Sequence, residues 1–113
     1  MRCLLLIALL VAACSKGPES DLPTIGEARS LAAEWALVNE QALKGHVTST
    51  YAEMMRARLR EALQTQVKTL TKPDSDYGHE IRATVALPAD TSPASLRAHV
   101  RALKQIEDKL ESA

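Results

Sequence analysis

Aromatic residues are scarce in this chain of 113 residues, which has no phenylalanine, one tryptophan and two tyrosines. A hydrophobic core must therefore be built from Leu, Ala, Val, Ile and Met, and such a core suits closely packed helices. Neither sign of charge is in excess, because 14 basic residues balance 14 acidic ones. A near-neutral chain of mixed sign lacks the basic surface with which proteins bind nucleic acids, so no nucleic-acid partner is expected.

No apolar run in the sequence has the length of a membrane-spanning helix. The longest run occupies residues 3–13, whereas a transmembrane helix needs about 20 apolar residues. Arg2 precedes the run, and polar residues with a Gly17-Pro18 break follow it. A buried N-terminal helix is the alternative, but no polar residues recur at helical spacing within the run. The arrangement predicts a secretory signal peptide at residues 1–13.

The end of this run carries a more specific pattern, Val11-Ala12-Ala13-Cys14. A branched aliphatic residue, two small residues and a cysteine resemble the lipobox of bacterial lipoproteins. This resemblance, which covers only the N-terminal segment, implies that diacylglycerol is attached to the Cys14 thiol and that a signal peptidase cleaves between Ala13 and Cys14. In such proteins an Asp at the next position tends to retain the chain in the inner membrane. Ser15 stands there instead, which implies anchoring at the periplasmic face of the outer membrane.

A lipidated Cys14 would hold the mature chain on a membrane without any transmembrane helix. Each buried methylene contributes about 0.8 kcal/mol, so two or three acyl chains anchor a protein stably. The chain has two cysteines, and cleavage would remove Cys3. Since lipid would occupy the sulfur of Cys14, no disulfide is expected in the mature domain.

The mature chain is expected to divide into a linker and one domain. Residues 14–23 comprise the cysteine and a polar stretch with one glycine and two prolines. If residues 15–23 were extended, at about 3.3 Å each, the domain would stand up to about 30 Å from the membrane. Residues 24–113 have the length of one small domain.

Helical periodicity and end signals predict a first helix over residues 25–44. Thr24 and Glu27 have the spacing of a capping box, and Gly45 is placed to end the helix. One helical face carries the apolar residues Ala28, Leu31, Ala32, Trp35, Val38 and Ala42. Because these residues follow the i, i+3, i+4, i+7 spacing, this face is expected to be buried.

A second helix is expected to follow the turn at residues 45–47 and to end at residues 72–74, where Pro73 blocks its continuation. The candidate N-caps are Thr48, Ser49 and Thr50. Of these, Thr50 has capping-box spacing with Glu53. The apolar stripe of this helix consists of Tyr51, Met55, Leu59, Ala62, Leu63, Val67 and Leu70.

Residues 74–88 fit two patterns. Apolar residues alternate at positions 81, 83, 85 and 87 as in a strand, whereas Tyr77, Ile81 and Val85 recur every four residues as in a helix. No second strand is available, and an isolated strand would leave its edge unpaired, so a short helix is favoured. Ser92-Pro93 then begins a last helix. Its apolar face consists of Leu96, Val100, Leu103, Ile106 and Leu110.

The sequence contains no motif for catalysis, for a metal or for a cofactor. His46, His79 and His99 lie in separate elements without the short spacing of metal ligands. No Gly-x-Ser-x-Gly elbow and no glycine-rich phosphate loop occur. We therefore expect a protein that is not an enzyme and that holds neither a metal nor a cofactor.

One basic stripe is a candidate binding surface. Arg97, Arg101 and Lys104 share one face of the last helix at i, i+4, i+7 spacing, where they could contact anionic lipid headgroups or an acidic partner. Asp108 continues the same face and can instead pair with Lys104. Both interpretations of the stripe are open at this point.

Other conspicuous side chains have ordinary structural explanations. Arg56 and Arg60 are expected to be solvated, and Arg58 points away from both on a helix, so the three do not form a patch. Solvated ion pairs of these arginines with nearby glutamates are expected. Trp35 falls within an apolar helix face and is expected in the core. Leu37 falls nearly opposite and is expected to be exposed, as single leucines often are.

The sequence thus predicts an all-α fold, a small bundle of three long helices and one short helix on a flexible, lipidated N-terminal tether. The expected function is that of a non-enzymatic envelope lipoprotein. Its helical domain would face the periplasm and bind an envelope protein or play a structural accessory role. The alternative is a small module that binds a lipid or an amphipathic ligand between its helices.

Overall fold

The computed structural model describes residues 18–113, and every regular element in this range is helical. A 3₁₀ turn at Pro18–Asp21 precedes four α-helices, which are α1 (Leu22–Leu43), α2 (Ser49–Thr69), α3 (Asp76–Val85) and α4 (Pro93–Ser112). The predicted all-α class is therefore confirmed for the described residues. The predicted signal peptide at residues 1–13 and the lipidation residue Cys14 lie outside these residues.

Helix α1 begins earlier than the sequence predicts. Thr24 and Glu27 lie inside the helix, so the capping box predicted for them is wrong. Asp21 occupies the N-cap position, and Pro23 lies in the first turn, where its fixed φ and missing N–H are well tolerated. Consequently residues 18–23 are helical, and the extended linker predicted for residues 15–23 is wrong over this part.

The end of α1 is the one predicted. Gly45 adopts a φ of 70°, the left-handed conformation that glycine enters without a steric penalty. The Gly45 N–H donates to the Ala42 carbonyl at 3.1 Å, and the His46 N–H donates to the Gln41 carbonyl at 2.9 Å. These two bonds form a Schellman motif, which satisfies carbonyls that the helix end would otherwise leave unpaired.

Each of the other helices begins at a hydroxyl cap. Thr48, not Thr50, caps α2 and accepts a hydrogen bond from the Tyr51 N–H, so the predicted capping box at Thr50 is wrong. Ser75 caps α3, and the short helix favoured for residues 74–88 is confirmed. Ser92 caps α4 ahead of Pro93, as predicted.

Helix α1 is the central element, because it packs against α2, α3 and α4, whereas α3 also lies against both α2 and α4. Helix α2 returns antiparallel to α1 after the tight turn at Gly45. Helix α4 is antiparallel to α1 as well, since Arg97 near its start contacts Glu40, and Glu107 near its end contacts Arg29.

This arrangement gives the bundle two distinct ends. The base consists of the 3₁₀ turn Pro18–Asp21, the loop at residues 70–75 and the C-terminal turn of α4. The tip consists of the loop at residues 44–48 and the start of α4. Helix α1 connects the two ends, and its 22 residues span about 33 Å at 1.5 Å per residue.

The core contains most of the side chains expected from the helical periodicity, together with Ile25, which the predicted face of the first helix did not include. Those fully buried and largest are Trp35, Ile25, Leu63, Ile81, Leu96 and Leu103. Leu37 is 52 % exposed, as predicted. Tyr51 departs from the predicted stripe of α2, because 44 % of it is exposed near the tip. None of the described helices is long and apolar enough to cross a membrane.

Candidate functional site

A buried carboxylate joins the start of the described chain to the loop between α2 and α3. Asp21 is only 1 % exposed. Its Oδ1 accepts a hydrogen bond from the Thr71 N–H at 2.9 Å. Its Oδ2 accepts bonds from the Thr71 hydroxyl at 2.9 Å, the Lys72 N–H at 3.2 Å and the Tyr77 hydroxyl at 2.6 Å. Because a carboxylate has about four acceptor positions, this one is fully occupied by donors of the protein itself.

The hydrogen bonds also determine the charge of Asp21. Burial raises the pKa of its carboxyl group, but the bonds from Tyr77, Thr71 and Lys72 outweigh burial and hold the pKa below its usual value of 3.8. Burial and the bond to this carboxylate both raise the pKa of the Tyr77 hydroxyl above its usual value. Asp21 is therefore an ionised structural anchor whose lone pairs are not open to a ligand.

A second polar cluster fixes the connection between α3 and α4. Asn39 is 2 % exposed, and its Nδ2 donates to the carbonyl oxygens of Ala89 at 3.1 Å and Thr91 at 2.7 Å. The Trp35 Nε1–H donates to the Ala89 carbonyl at 2.9 Å. The Arg56 Nε–H donates to the Asn39 Oδ1 at 2.6 Å. This cluster satisfies two carbonyls of the irregular segment between α3 and α4.

The position of the arginines on α2 corrects the sequence interpretation. Arg56 is bound to Asn39, and the Arg60 guanidinium lies 5.8 Å from the centre of the Trp35 ring. Both arginines therefore face α1 and are half-buried, whereas Arg58 is exposed. The predicted fully solvated set is wrong for two of its three members. The i, i+4 spacing of Arg56 and Arg60 was the sequence signal for this shared orientation, because it places both residues on one side of the helix.

A buried acid on α4 was also missed. Glu107 is 6 % exposed. Its Oε1 lies 3.3 Å from an Arg29 nitrogen and 3.8 Å from the Lys104 amine. A Cβ at Gly26 would come within 3.1 Å of the Glu107 Oε2, so the glycine leaves room for the carboxylate. Glu107 follows Leu103 by one helical turn, and this position on the apolar face was the signal for its burial.

The basic stripe predicted on α4 is largely engaged within the protein. Arg97 forms a hydrogen-bonded ion pair with Glu40, and Lys104 pairs with Asp108 at 2.8 Å, which is one of the two interpretations that the sequence left open. Hydrogen bonds from Arg97 and Lys44 hold the pKa of the Glu40 carboxyl below its usual value. Arg101 is exposed and forms no ion pair within residues 18–113. Contact of the stripe with an anionic surface stays a prediction.

The three histidines lie apart, each with a partner of its own. His46 Nδ1 is 2.8 Å from the Gln41 Oε1, and His79 Nδ1 is 3.0 Å from an Arg82 nitrogen. His99 Nδ1 is 2.6 Å from the Glu80 Oε1, which joins α4 to α3. Within the described part of the chain, no group of three or more His, Cys, Asp or Glu side chains is arranged to hold a metal ion.

A shallow groove runs between α2 and α3. Its volume is about 390 Å³, and it is lined by Gln64, Val67, Lys68, Arg82, Val85 and Ala86. Valine and alanine side chains provide its apolar surface, and two cationic residues border it. The Arg82 guanidinium is held by the Pro73 carbonyl at 2.6 Å, whereas Lys68 is exposed. An apolar trough with a cationic border has the chemical character of a site for an acyl chain with an anionic head.

The residues predicted to carry the membrane anchor, Ala13 and Cys14, lie outside the described residues. Asp21, which the sequence interpretation assigned to the linker, belongs to the fold. Its partners are about fifty residues away along the chain, and Pro23 two residues after it was the local signal of a helix start. The chain matches no family model, no curated protein and no solved structure at a significant level.

Proposed function

We propose that this protein is a lipid-anchored, non-enzymatic protein of the bacterial cell envelope. A signal peptidase cleaves before Cys14, and the acylated cysteine holds the helical domain at the periplasmic face of the outer membrane. The observation that carries the proposal is the sequence Val11-Ala12-Ala13-Cys14. It lies at the end of an apolar run that has the length of the apolar region of a signal peptide. The domain binds an envelope protein or has a structural accessory role.

Two structural features support this proposal. Among the described residues, the buried apolar side chains begin at Ile25, so the described core lies entirely on the C-terminal side of the proposed cleavage site. Large apolar side chains are exposed where α1 ends and α2 begins, with Leu43 79 %, Tyr51 44 % and Met54 44 % exposed. Burial of such side chains against a protein partner would be favourable at roughly 25 cal/mol per Å² of apolar surface.

The anchor is tested by metabolic labelling with a radioactive or clickable fatty acid. We expect the wild-type protein to incorporate the label and to sediment with membranes, and Cys14→Ala to lose the label and leave the membrane fraction. Cys3→Ala is the matched control, because its thiol lies in the segment removed by cleavage, and it should keep the label. Undiminished labelling of Cys14→Ala would refute the proposal.

A second candidate function is favoured by the groove between α2 and α3. Val67, Val85 and Ala86 offer apolar walls, and Lys68 and Arg82 offer positive charge to an anionic head. In this function the domain binds a single amphipathic molecule, such as a fatty acid, from the membrane to which it is tethered. Burial of an acyl chain would contribute about 0.8 kcal/mol per methylene.

The groove is tested by titration with laurate, followed by native mass spectrometry. We expect one laurate per chain, and at least about tenfold weaker binding to Ala86→Trp, because the indole would fill the trough. Ala83→Trp is the control, since Ala83 is exposed on α3, three residues before Ala86, and does not line the groove. Equal binding to both variants, or a persistent unliganded mass for the wild type, would exclude this function.

A further inference from the structure

The distance between the proposed lipid anchor and the folded domain is short. Only residues 15–17 separate Cys14 from Pro18, where the described fold begins. Four Cα–Cα steps of fully extended chain span at most about 14 Å. Pro18 is therefore held within about 14 Å of the lipidated residue, less than half of the distance expected for an extended linker at residues 15–23.

The fold does not lengthen this connection easily. Residues 18–21 form a 3₁₀ turn that continues into α1, and the Asp21 carboxylate accepts bonds from Thr71, Lys72 and Tyr77. Release of this turn would expose a buried carboxylate and leave those donors without their acceptor. A hydrogen bond to a charged group is worth more than one between neutral groups, so Asp21 at the end of the turn is held firmly in the fold. Asp21 therefore fixes the start of the described fold at the base.

The cationic stripe of α4 is a weaker attachment to a lipid surface than the tether at the base, because two of its three cations already have partners within the described residues. The cationic stripe of α4 could have held the bundle flat on anionic headgroups, but Arg97 is paired with Glu40 and Lys104 with Asp108. The exposed residues of the base loop include Thr71, Lys72 and Asp74, which are polar and of mixed charge. Such a surface suits contact with hydrated headgroups and is too polar for insertion into the acyl chains.

We infer that the base of the bundle rests on the lipid surface and that α1 points away from it, so that the tip is presented about 30 Å further into the periplasm. This inference rests on the proposed lipidation of Cys14. It names the bilayer headgroups as the partner of the base. It also leaves the apolar side chains Leu43, Tyr51 and Met54 on the surface farthest from the membrane, where a protein from outside the bilayer can reach them.

The inference is tested by energy transfer from single fluorescent labels to acceptor-labelled lipid headgroups. The lipidated full-length protein is reconstituted in vesicles of phosphatidylethanolamine and phosphatidylglycerol. Cleavage removes Cys3 and acylation occupies Cys14, so Lys72→Cys, Arg101→Cys and Thr50→Cys each supply one free thiol. All three positions are exposed, and they lie at the base, midway along α4 and near the tip. We expect the efficiency of energy transfer to fall in that order. Over the height of about 30 Å that α1 spans, it should fall about twofold or more from base to tip.

The controls separate the orientation from the anchor. Equal transfer from positions 72 and 50, or stronger transfer from position 50, in a chain that carries fatty acid would overturn the orientation and leave the proposed anchor intact. A chain without fatty acid that does not float with vesicles would overturn both. Insertion of a twelve-residue Gly-Ser segment after Gly17 should lower the efficiency of energy transfer from the label at position 72. It should also narrow the difference in efficiency between positions 72 and 50. An unchanged gradient after insertion would also contradict the inference, because the short connection would not be its cause.

Discussion

Replacement of Trp35 by alanine is expected to lower the free energy of unfolding by about 4 kcal/mol, which is the range for removal of a large buried aromatic side chain. Trp35 is fully buried on α1, the helix that contacts all the others. Its indole N–H donates to the Ala89 carbonyl, and the Arg60 guanidinium lies over its ring. Since small domains have a total stability of about 5–15 kcal/mol, this one change should bring the protein close to unfolding. Chemical denaturation followed by far-ultraviolet circular dichroism measures the loss.

Two matched variants show whether the loss of stability in Trp35→Ala comes from the buried volume of the indole or from its N–H donor. Trp35→Phe keeps most of the apolar volume and removes only the N–H donor, so we expect a smaller loss of about 1–2 kcal/mol. The Ala89 carbonyl would still accept a bond from Asn39 at 3.1 Å. Leu37→Ala, on the exposed face of the same helix, should change stability by less than about 0.5 kcal/mol. A loss below about 1 kcal/mol for Trp35→Ala would contradict the described core.

Replacement of Asp21 by asparagine is the second change with a large expected effect, a loss of about 3 kcal/mol at neutral pH, because buried donors lose a charged acceptor. The carboxylate accepts from four donors of Thr71, Lys72 and Tyr77. An asparagine amide keeps one carbonyl acceptor but turns an NH₂ group toward donors, which are then buried without a partner. Asp74→Asn is the control on the adjacent loop, because Asp74 is exposed and its change should be nearly neutral.

The stability difference between the wild type and Asp21→Asn should depend on pH. The pKa of the Asp21 carboxyl in the folded protein lies below its usual value of 3.8. A depressed folded-state pKa contributes stability that is fully present above the unfolded-state pKa and is lost as the pH falls through the folded-state pKa. The difference should therefore be constant between about pH 5 and about pH 8, below the titration of Tyr77, and shrink below about pH 4. The ion pairs of Glu40 are the same in both proteins and cancel in this comparison.

Denaturation of both proteins at a series of acidic pH values measures this dependence. A difference that stays constant down to about pH 3 would show that the lost stability does not come from the charge of Asp21. Loss of the Asp21 carboxylate should also loosen the loop at residues 70–75. Hydrogen exchange at the Thr71 and Lys72 amides should therefore be faster in Asp21→Asn than in the wild type. Amides in the middle of α4, which lie far from the base, should keep their protection.

Local sequence signals located most of the fold correctly. Gly45 ended α1 where its positive φ was needed, and Ser92 with Pro93 began α4. Residues 74–88, whose pattern also fitted a strand, formed a helix capped by Ser75, because that helix supplies its own backbone hydrogen bonds. The helical period of the apolar residues placed Trp35 in the core and Leu37 outside it. All these signals involve residues within one or two turns of each other, so they can be recognised without knowledge of any tertiary contact.

The errors arose where a distant partner outweighed a local signal. Thr24 and Glu27 had the spacing of a capping box, yet α1 starts at Leu22 because Asp21 is held by residues of the loop at positions 70–75. Arg56 had neighbouring glutamates on its own helix but binds Asn39 of α1. Partners about twenty to fifty residues away cannot be identified from spacing along the chain, since the sequence does not state which segments meet.

Residue order alone carries the prediction of a lipid anchor, because the enzymes that process such chains act on a short linear segment around Cys14. Periodicity and capping residues likewise suffice for the class of fold, since helices form from local bonds. The start of α1 at Leu22, the groove between α2 and α3 and the two ends of the bundle could not be obtained in this way. They depend on the burial of the Asp21 carboxylate and on the antiparallel packing of α1 with α2 and α4, which are contacts between residues far apart in the chain.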